Sequence, residues 1–208
     1  MSEVCTQFVI PLCTPQQANT PTSLALGSFD GIHAGHRKVI EVVVKDAPGI
    51  PSVVSFWPHP REVLYSEPRL RLDLPCEKTS LLSPLGVKQL ILVPFNQKLA
   101  SVSAEDFFHE MLIKTLHARR IAVGANFRFG HNRKGDITTL QELGKTYKVE
   151  VIAMPILEDN EGRMSSSRIR KALSNGNLDR AKELMGRPYK FSGRVVKGRG
   201  LGQKIGWP

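Results

Sequence analysis

Short apolar segments that alternate with longer amphipathic ones constrain this 208-residue chain more than any other feature. Segments such as TSLALG and PSVVSF are bounded by glycine or proline and are too short for core helices, so they indicate buried strands. Strands separated by helices predict an α/β fold with a parallel sheet covered on both faces. Ligands of such sheets bind beyond the carboxyl ends of the strands. The predicted strands are 22–27, 51–56, 87–95, 119–127 and 148–157, and the predicted helices are 33–46, 103–118 and 136–147.

The segment GSFDGIHAGH follows the first predicted strand and leads into a helix. His33 and His36 are three residues apart, so both rings can lie on the same side of the helix start. Unpaired N–H groups and the helix dipole favour phosphate there, and Gly27, Gly31 and Gly35 would let ligand atoms approach the backbone. The alternative is a surface loop with two solvated histidines. The flanking strand and helix favour a polyphosphate site, in which anionic oxygens would favour the charged histidines.

A second polar segment, RMSSSRIRKAL at 163–173, places three serines before a predicted helical run that contains arginines. The alternative is a helix N-cap, for which one serine suffices. Serines with free backbone N–H groups and nearby arginines also make a phosphate cradle. Residues two apart point about 200° apart on a helix, whereas Ser167 and Arg170 share a face. We therefore expect Arg170 to contact phosphate and Arg168 to lie in solvent or in an ion pair.

The formal net charge is +10 at pH 7, but the excess is unevenly distributed. Residues 186–208 hold six lysines and arginines and no acidic residue, which leaves 23 basic and 19 acidic residues over 1–185. Basicity alone indicates non-specific association, so we expect no nucleic-acid partner. No apolar run approaches the roughly 20 residues of a membrane helix, and the N-terminus lacks a secretory pattern. We expect a cytoplasmic protein with no membrane partner and, without C-x-x-C spacing, no protein-held metal.

The motifs GSFDGIHAGH and SSSRIR together resemble those of the nucleotidylyltransferase superfamily, whose members join ATP to a phosphorylated acceptor and release pyrophosphate. SFWPHP, GANFRFG and GRPYKFSGRVVKGRGLGQKIGWP are similar to segments of the prokaryotic bifunctional FAD synthetases, which are riboflavin kinase/FMN adenylyltransferases. The resemblance implies a Rossmann-like domain that transfers an adenylyl group from ATP to FMN, with Mg²⁺ accompanying ATP. Two positions differ from the usual family pattern: Ser28 replaces Asn and Ser167 replaces Thr.

The resemblance also implies roles for individual side chains. FMN would attack the α-phosphorus of ATP without a protein base, because its phosphate is already an anion. The implied catalytic residues are His33, His36 and Arg170; the ATP-binding residues are Gly27, Phe29, Gly35, Ser166 and Ser167; the flavin-binding residues are Phe56, Pro58, His59, Pro60, Asn126 and Phe129.

Several of these positions keep an alternative interpretation. Core packing explains Phe56 and Phe129 as well as contact with a flavin ring does. His59, between two prolines, is equally consistent with a rigid turn. Asp30 is consistent with a residue that orients the loop and does not touch ligand.

By the same resemblance, residues 1–185 form the FMN adenylyltransferase domain. Residues 186–208 would be the truncated edge of a β-barrel riboflavin kinase domain, with one strand near 191–196, and riboflavin phosphorylation is expected only from a longer parent chain. An alternative function is a related transferase for another phosphorylated acceptor, such as phosphopantetheine or nicotinamide mononucleotide, although the PHP and FRFG segments argue against it. A non-enzymatic, basic RNA-associated protein is more distant, because the charge is concentrated in the tail.

Overall fold

The computed structural model describes residues 9–67, 70–193, 196–199 and 201–206. Its strands are β1 (Leu12–Cys13), β2 (Thr22–Leu26), β3 (Ile50–Trp57), β4 (Gln89–Pro94), β5 (Ala118–Gly124), β6 (Glu150–Met154), β7 (Glu158–Asp159) and β8 (Gly162–Arg163). The first six form one sheet in the order β1-β4-β3-β2-β5-β6, and every neighbouring pair is parallel. The last two strands form a small antiparallel hairpin. The predicted parallel α/β sheet is confirmed.

Helices connect the strands and cover both faces of the sheet. They are α1 (Ala34–Val44), α2 (Pro60–Tyr65), α3 (Pro75–Leu82), α4 (Gln97–Ala100), α5 (Ala104–Asp106), α6 (Ile137–Tyr147), α7 (Ser166–Ser174), α8 (Leu178–Met185) and α9 (Leu201–Lys204). Within the described ranges, no helix is long and apolar enough to cross a membrane.

The segment predicted as a single helix over 103–118 differs from a regular α-helix. Ser103 caps it as expected, accepting a hydrogen bond from the Asp106 N–H at 2.9 Å, but α5 passes into a π-helix over Phe107–Thr115. The Leu116 N–H donates to the Met111 carbonyl, five residues back, at 3.1 Å. The helical segment therefore ends earlier than predicted, and β5 begins where the prediction still had helix.

All five residues of the central strand β2 are buried, including the polar Thr22 and Ser23, as expected for a parallel strand covered on both faces. One core cluster includes Phe108 and Leu112 of the π-helix and Leu140 of α6. A second includes Val39, Ile40 and Val43 of α1. These two clusters are the layers that hold the carboxyl edge of the sheet in place.

The chain order of the strands reverses at β2. The next two strands in the chain, β3 and β4, lie on one side of β2, whereas β5 and β6 lie on its other side. Such a reversal leaves a crevice at the carboxyl edge, where open α/β sheets bind ligands. The loops after β2 and β5 both reach this crevice.

The C-terminal segment carries little regular structure. Residues 187–193 and 196–199 contain neither helix nor strand. The strand predicted near 191–196 is absent from 191–193 and 196, while 194 and 195 lie outside the described residues. The assignment of 186–208 to the edge of a second domain stays a prediction.

Candidate functional site

A cavity of about 760 Å³ opens where β2, β3 and β5 end, a size typical of small-ligand sites. Around it the structure brings together sequence-predicted residues that are far apart in the chain. The predicted residues that line it are Gly27, Phe29, His33, Gly35, His36, Phe56, His59, Pro60, Asn126, Phe129, Ser166, Ser167 and Arg170. Pro58 is exposed and does not line this cavity.

The two histidines meet as a stacked pair. His33 is the N-cap residue of α1 and His36 lies in its first turn; their ring centroids are 3.7 Å apart and the planes are inclined by 21°. His33 is buried and His36 is half-buried, so the alternative of two solvated histidines is wrong. Gly35 leaves room for the stack, because a Cβ there would lie 3.2 Å from the His33 ring. The Phe29 ring approaches His36 edge-on, with centroids 5.2 Å apart.

Both histidines are poor bases in this environment. Burial lowers the pKa of His33 to about 4, assisted by the Arg163 guanidinium and opposed by Asp30. Burial also holds the pKa of His36 well below its usual value, and positive charge on His33, when that ring is protonated, and on Lys78 and Arg163 acts in the same direction. Surrounded by the protein's own groups, both rings are neutral at pH 7. Neither Nδ1 atom has a hydrogen-bond partner among the described residues.

The loop between β2 and α1 has an unusual backbone. Phe29, Gly31 and Ile32 all have positive φ, at 45°, 86° and 37°, and each such non-glycine residue costs about 1–3 kcal/mol. A Cβ at Gly31 would lie 2.8 Å from Leu72 Cδ1, so glycine is required there by space as well as by conformation. The loop keeps this shape only if neighbouring groups hold it.

Asp30 is one of those groups. It is 3% exposed, its Oδ1 accepts hydrogen bonds from the N–H groups of Leu72 and Asp73 at 3.1 and 3.4 Å, and its Oδ2 is paired with Arg170. The interpretation of Asp30 as a loop-orienting residue therefore agrees with its contacts.

Ser28 is also held in place, but through its main chain. Its carbonyl accepts from Lys78 Nζ at 3.0 Å and from Ser55 Oγ at 2.9 Å. Lys78 is 4% exposed, and burial lowers its pKa while Asp30 and Asp73 act in the opposite direction. Since the contact uses the carbonyl, serine in place of the usual asparagine leaves it intact. Sequence reasoning missed Lys78, because no local motif surrounds it.

Helix α7 is tied to the same loop. Ser165 is its N-cap and accepts from the Arg168 N–H at 3.4 Å, so only Ser165 of the three serines precedes the helix, a correction to the expected arrangement. Ser166 Oγ donates to the Asp30 carbonyl at 2.7 Å, and Arg170 Nε donates to the Leu70 carbonyl at 2.7 Å. The N-terminal residues of α1 and α7 consequently line one cavity.

Arg168 points away from Arg170, as the helix geometry predicts. It forms ion pairs with Asp159 and Glu161, both at 2.8 Å, so the expected ion pair is confirmed. Arg180 of α8 binds the same two carboxylates at 3.0 and 2.7 Å. These contacts fix the β7–β8 hairpin against α7 and α8.

Arg163, at the end of this hairpin, is a cavity residue to which sequence reasoning gave no role. With the Asn126 amide oriented to face it, the amide oxygen accepts from both guanidinium Nη atoms at 2.8 and 2.7 Å. Arg163 is exposed to the cavity, and no carboxylate within the described part of the chain pairs with it. Asn126 thus orients a cation towards the histidines. The sequence held a signal for this residue, because Arg163 begins the segment RMSSSRIRKAL and lies three residues before Ser166.

Phenylalanines form the opposite wall of the cavity. Phe129 is 7% exposed and belongs to a core cluster, against which the half-buried Phe56 packs. Phe127 stacks on Phe129 with centroids 5.7 Å apart and is the more accessible of the two. Core packing accordingly accounts for most of the Phe129 ring, while Phe56 and Phe127 offer apolar surface to a ligand.

His59 and Pro60 begin helix α2 beside this wall. His59 is the N-cap residue, and its Nδ1 accepts from the Arg61 N–H at 3.1 Å. Pro60 occupies the first helical position, where its fixed φ is favourable. The interpretation of His59 as a turn residue agrees with this cap, although its ring also borders the cavity.

The lining is strongly basic. Arg61, Arg128, Arg133, Arg163 and Arg170 border the cavity, and among the described residues that line it Asp30 is the one acidic residue. In the ranges described above, no cluster of three His, Cys, Asp or Glu side chains is placed to hold a metal ion. The cavity therefore suits an anionic ligand of polyphosphate character with an apolar portion.

Comparison with known proteins gives a consistent result. A family model described as FAD synthetase matches residues 15–168. A bifunctional riboflavin kinase/FMN adenylyltransferase of Buchnera aphidicola subsp. Schizaphis graminum is 33% identical over 199 residues, which cover 93% of this chain and 64% of the relative. An FAD synthetase of Listeria monocytogenes is 32% identical over 192 residues, covering 90% of this chain and 78% of that protein. The chain thus spans less than two thirds of the Buchnera relative.

Two solved structures share the fold. A crystal structure described as a macrolide-efflux protein from Streptococcus pneumoniae has a TM-score of 0.77 and 34% identity, covering 96% of this chain and 66% of that chain. A pantoate-beta-alanine ligase from Francisella tularensis has a TM-score of 0.52 with 12% identity, covering 95% and 85%. The second likeness concerns the fold alone.

Proposed function

Because the chain belongs to the FAD synthetase family, we propose that it is an FMN adenylyltransferase, which makes FAD and pyrophosphate from ATP and FMN. One observation carries the proposal. The stacked His33–His36 pair, the start of α7 and the arginines 163 and 170 converge on one basic cavity with an apolar wall. That combination fits a polyphosphate joined to an aromatic acceptor.

In the proposed reaction an oxygen of the FMN phosphate attacks the α-phosphorus of ATP. The bond from that phosphorus to the oxygen bridging it to the β-phosphate breaks, and its electron pair leaves with pyrophosphate. The nucleophile is already an anion, so the protein's task is to position the reactants and stabilise charge. His33 and His36 donate to the oxygens at the α-phosphate. The approach of those oxygens raises the histidine pKa values, so that one ring of the close pair takes up a proton.

Ser167, at the exposed start of α7, and Arg170 would hold the β- and γ-phosphates. Arg170 is fixed by Asp30 and by the Leu70 carbonyl, so little side-chain entropy is lost when it binds phosphate. The Ser166 hydroxyl is already used by the Asp30 carbonyl, which leaves its backbone N–H for the ligand. Arg163, oriented by Asn126, would add a second guanidinium on the other side of the phosphates.

The acceptor would lie along the wall formed by Phe56 and Phe127. Mg²⁺ would enter as part of the Mg-ATP substrate, held by phosphate oxygens and water, as is usual for this ion. It would offset phosphate charge during transfer. We place the reaction in the cytoplasm, where ATP is available. We keep residues 1–185 as the transferase domain and 186–208 as the first residues of a riboflavin kinase domain.

Acceptor selectivity tests the proposal. The purified chain is incubated with Mg-ATP and, separately, FMN, nicotinamide mononucleotide or phosphopantetheine, and pyrophosphate release is measured. Of the three acceptors, we expect only FMN to support pyrophosphate release, and we expect chromatography to identify FAD as the other product. If pyrophosphate release were faster with nicotinamide mononucleotide or phosphopantetheine, that compound would be the acceptor and FMN would not. The names of the relatives give no support to those alternatives.

A further inference from the structure

The C-terminal end of α8 leads into Arg187, which contacts the loop that carries His33. Arg187 lies outside the residues matched by the family model, which end at 168. Its Nη2 atom lies 2.6 Å from Asp73 Oδ1 and 3.3 Å from the Gly31 carbonyl. The two partners are separated from it by 114 and 156 residues in the chain. Arg187, from a segment remote in sequence, is therefore hydrogen-bonded to Gly31, which lies two residues before His33.

Asp73 contacts both Arg187 and the Gly31 main chain. Its Oδ2 accepts from the Gly31 N–H at 2.7 Å, so Asp73 and Arg187 hold both polar main-chain groups of Gly31. The Asp73 side chain is 2% exposed. Burial raises the pKa of this carboxyl, and the Arg187 charge is the largest opposing effect. Without Arg187, the carboxylate would lose its nearest cation.

The loop needs such support because of its backbone. Phe29 and Ile32 are non-glycine residues in the left-handed region, on either side of Gly31, and such residues persist only where surrounding contacts fix them. Arg37 adds a parallel link, since its Nε donates to the Ile32 carbonyl at 3.3 Å and its Nη2 to the Met185 carbonyl at 3.2 Å. Two arginines thus connect the loop to the end of α8.

We propose that Arg187 is a positioning residue for the stacked histidines, acting through Asp73 and Gly31. The inference rests on the proposed function only for its kinetic readout. Under this proposal the start of the C-terminal segment 186–208 supports the transferase site, because Arg187 controls the geometry of the loop that carries His33. Arg187 itself does not line the cavity and is not placed in contact with substrate.

The test compares R187M, which keeps the aliphatic stem, with R187K, which keeps the charge but not the planar fork. The matched control is K190M, a change at an exposed residue of the same segment. We expect kcat for FAD formation to fall about 10- to 100-fold in R187M, as for misplacement of reacting groups, and less in R187K. The KM for FMN should stay near the wild-type value, and K190M should match wild type.

Two further measurements separate positioning from general destabilisation. Amide hydrogen exchange over 27–36 should accelerate in R187M, while exchange in α6 stays unchanged. In a D73N background, R187M should add little further loss, because both substitutions break the same relay. Unchanged exchange over 27–36, equal acceleration in α6, or additive losses would overturn the proposal. If the wild-type chain forms no FAD, the proposed function fails, and the exchange pattern still decides the role of Arg187.

Discussion

His33 and His36 stack with their ring centroids 3.7 Å apart at the first turn of α1. Two positive charges at that separation repel strongly, so the pair can hold one added proton far more easily than two. This relationship makes the site sensitive to charge. The pair is neutral in the protein's own surroundings, and we expect it to accept a proton when phosphate oxygens approach.

The first prediction concerns stability and pH. The pKa of His33 is lowered to about 4 in the folded protein from an ordinary value of 6.5. The unfolded chain therefore binds the proton more readily between these values, and the stability from neutral His33 is lost as pH falls from 6.5 to 4. The slope for one group is about 1.4 kcal/mol per pH unit.

Urea unfolding at pH 6.5, 5.5 and 4.5 measures this slope in wild type and in H33N, which places asparagine, a favoured N-cap residue, at the start of α1. The variant should lose stability less steeply. Asp73, whose pKa is raised, acts in the opposite direction in both proteins, so its contribution cancels in the comparison. Equal slopes would show that His33 does not titrate as described.

The second prediction concerns His36 in turnover. H36A should lower kcat for FAD formation by about 100- to 1,000-fold, as for the loss of an oxyanion donor. The fold should survive, because the side chain lies at the sheet edge and not in either main core cluster. Steady-state kinetics and circular dichroism check the two parts. Turnover close to wild type would remove His36 from the mechanism.

The third prediction compares two arginines of α7. R170A should impair ATP binding or turnover by about 1.5–3 kcal/mol or more, since a hydrogen bond to a charged group contributes that much. The substitution also leaves the buried Asp30 without this partner. R168A breaks partly exposed ion pairs, which contribute roughly 0–1 kcal/mol, so its effect on turnover should be small. One FMN adenylylation assay tests both. Damage confined to R168A would invert the assignment.

Much of this arrangement was predictable from sequence, and the reason is local periodicity. The buried run of β2 and the spacing of His33 and His36 each carry their own signal within a few residues. The contacts that hold the site do not. Arg170 pairs with Asp30 across 140 residues, and no helix or strand pattern encodes such a pairing. The low pKa of His33 depends likewise on burial and on Arg163, neither of which the motif itself reveals.

The fourth prediction concerns Arg163. R163Q removes a positive charge that lowers the pKa of His33, so the His33 pKa should rise from about 4, as followed by NMR titration. The same change should raise the KM for ATP by about tenfold or more, given the usual strength of a charged hydrogen bond. R119Q is the control, since Arg119 is exposed near the opposite end of β5. An unchanged His33 titration in R163Q would contradict this electrostatic role.

The most direct measurement follows the label of radioactive ATP in the purified chain with FMN and Mg²⁺. With the label on the α-phosphate, adenylyl transfer predicts radioactive FAD; with the label on the γ-phosphate, it predicts radioactive pyrophosphate and an unlabelled flavin. H36A, under the same conditions, should give FAD at a rate lower by about two to three orders of magnitude. Absence of labelled FAD from α-labelled ATP, or label in the flavin from γ-labelled ATP, would contradict adenylyl transfer at this site.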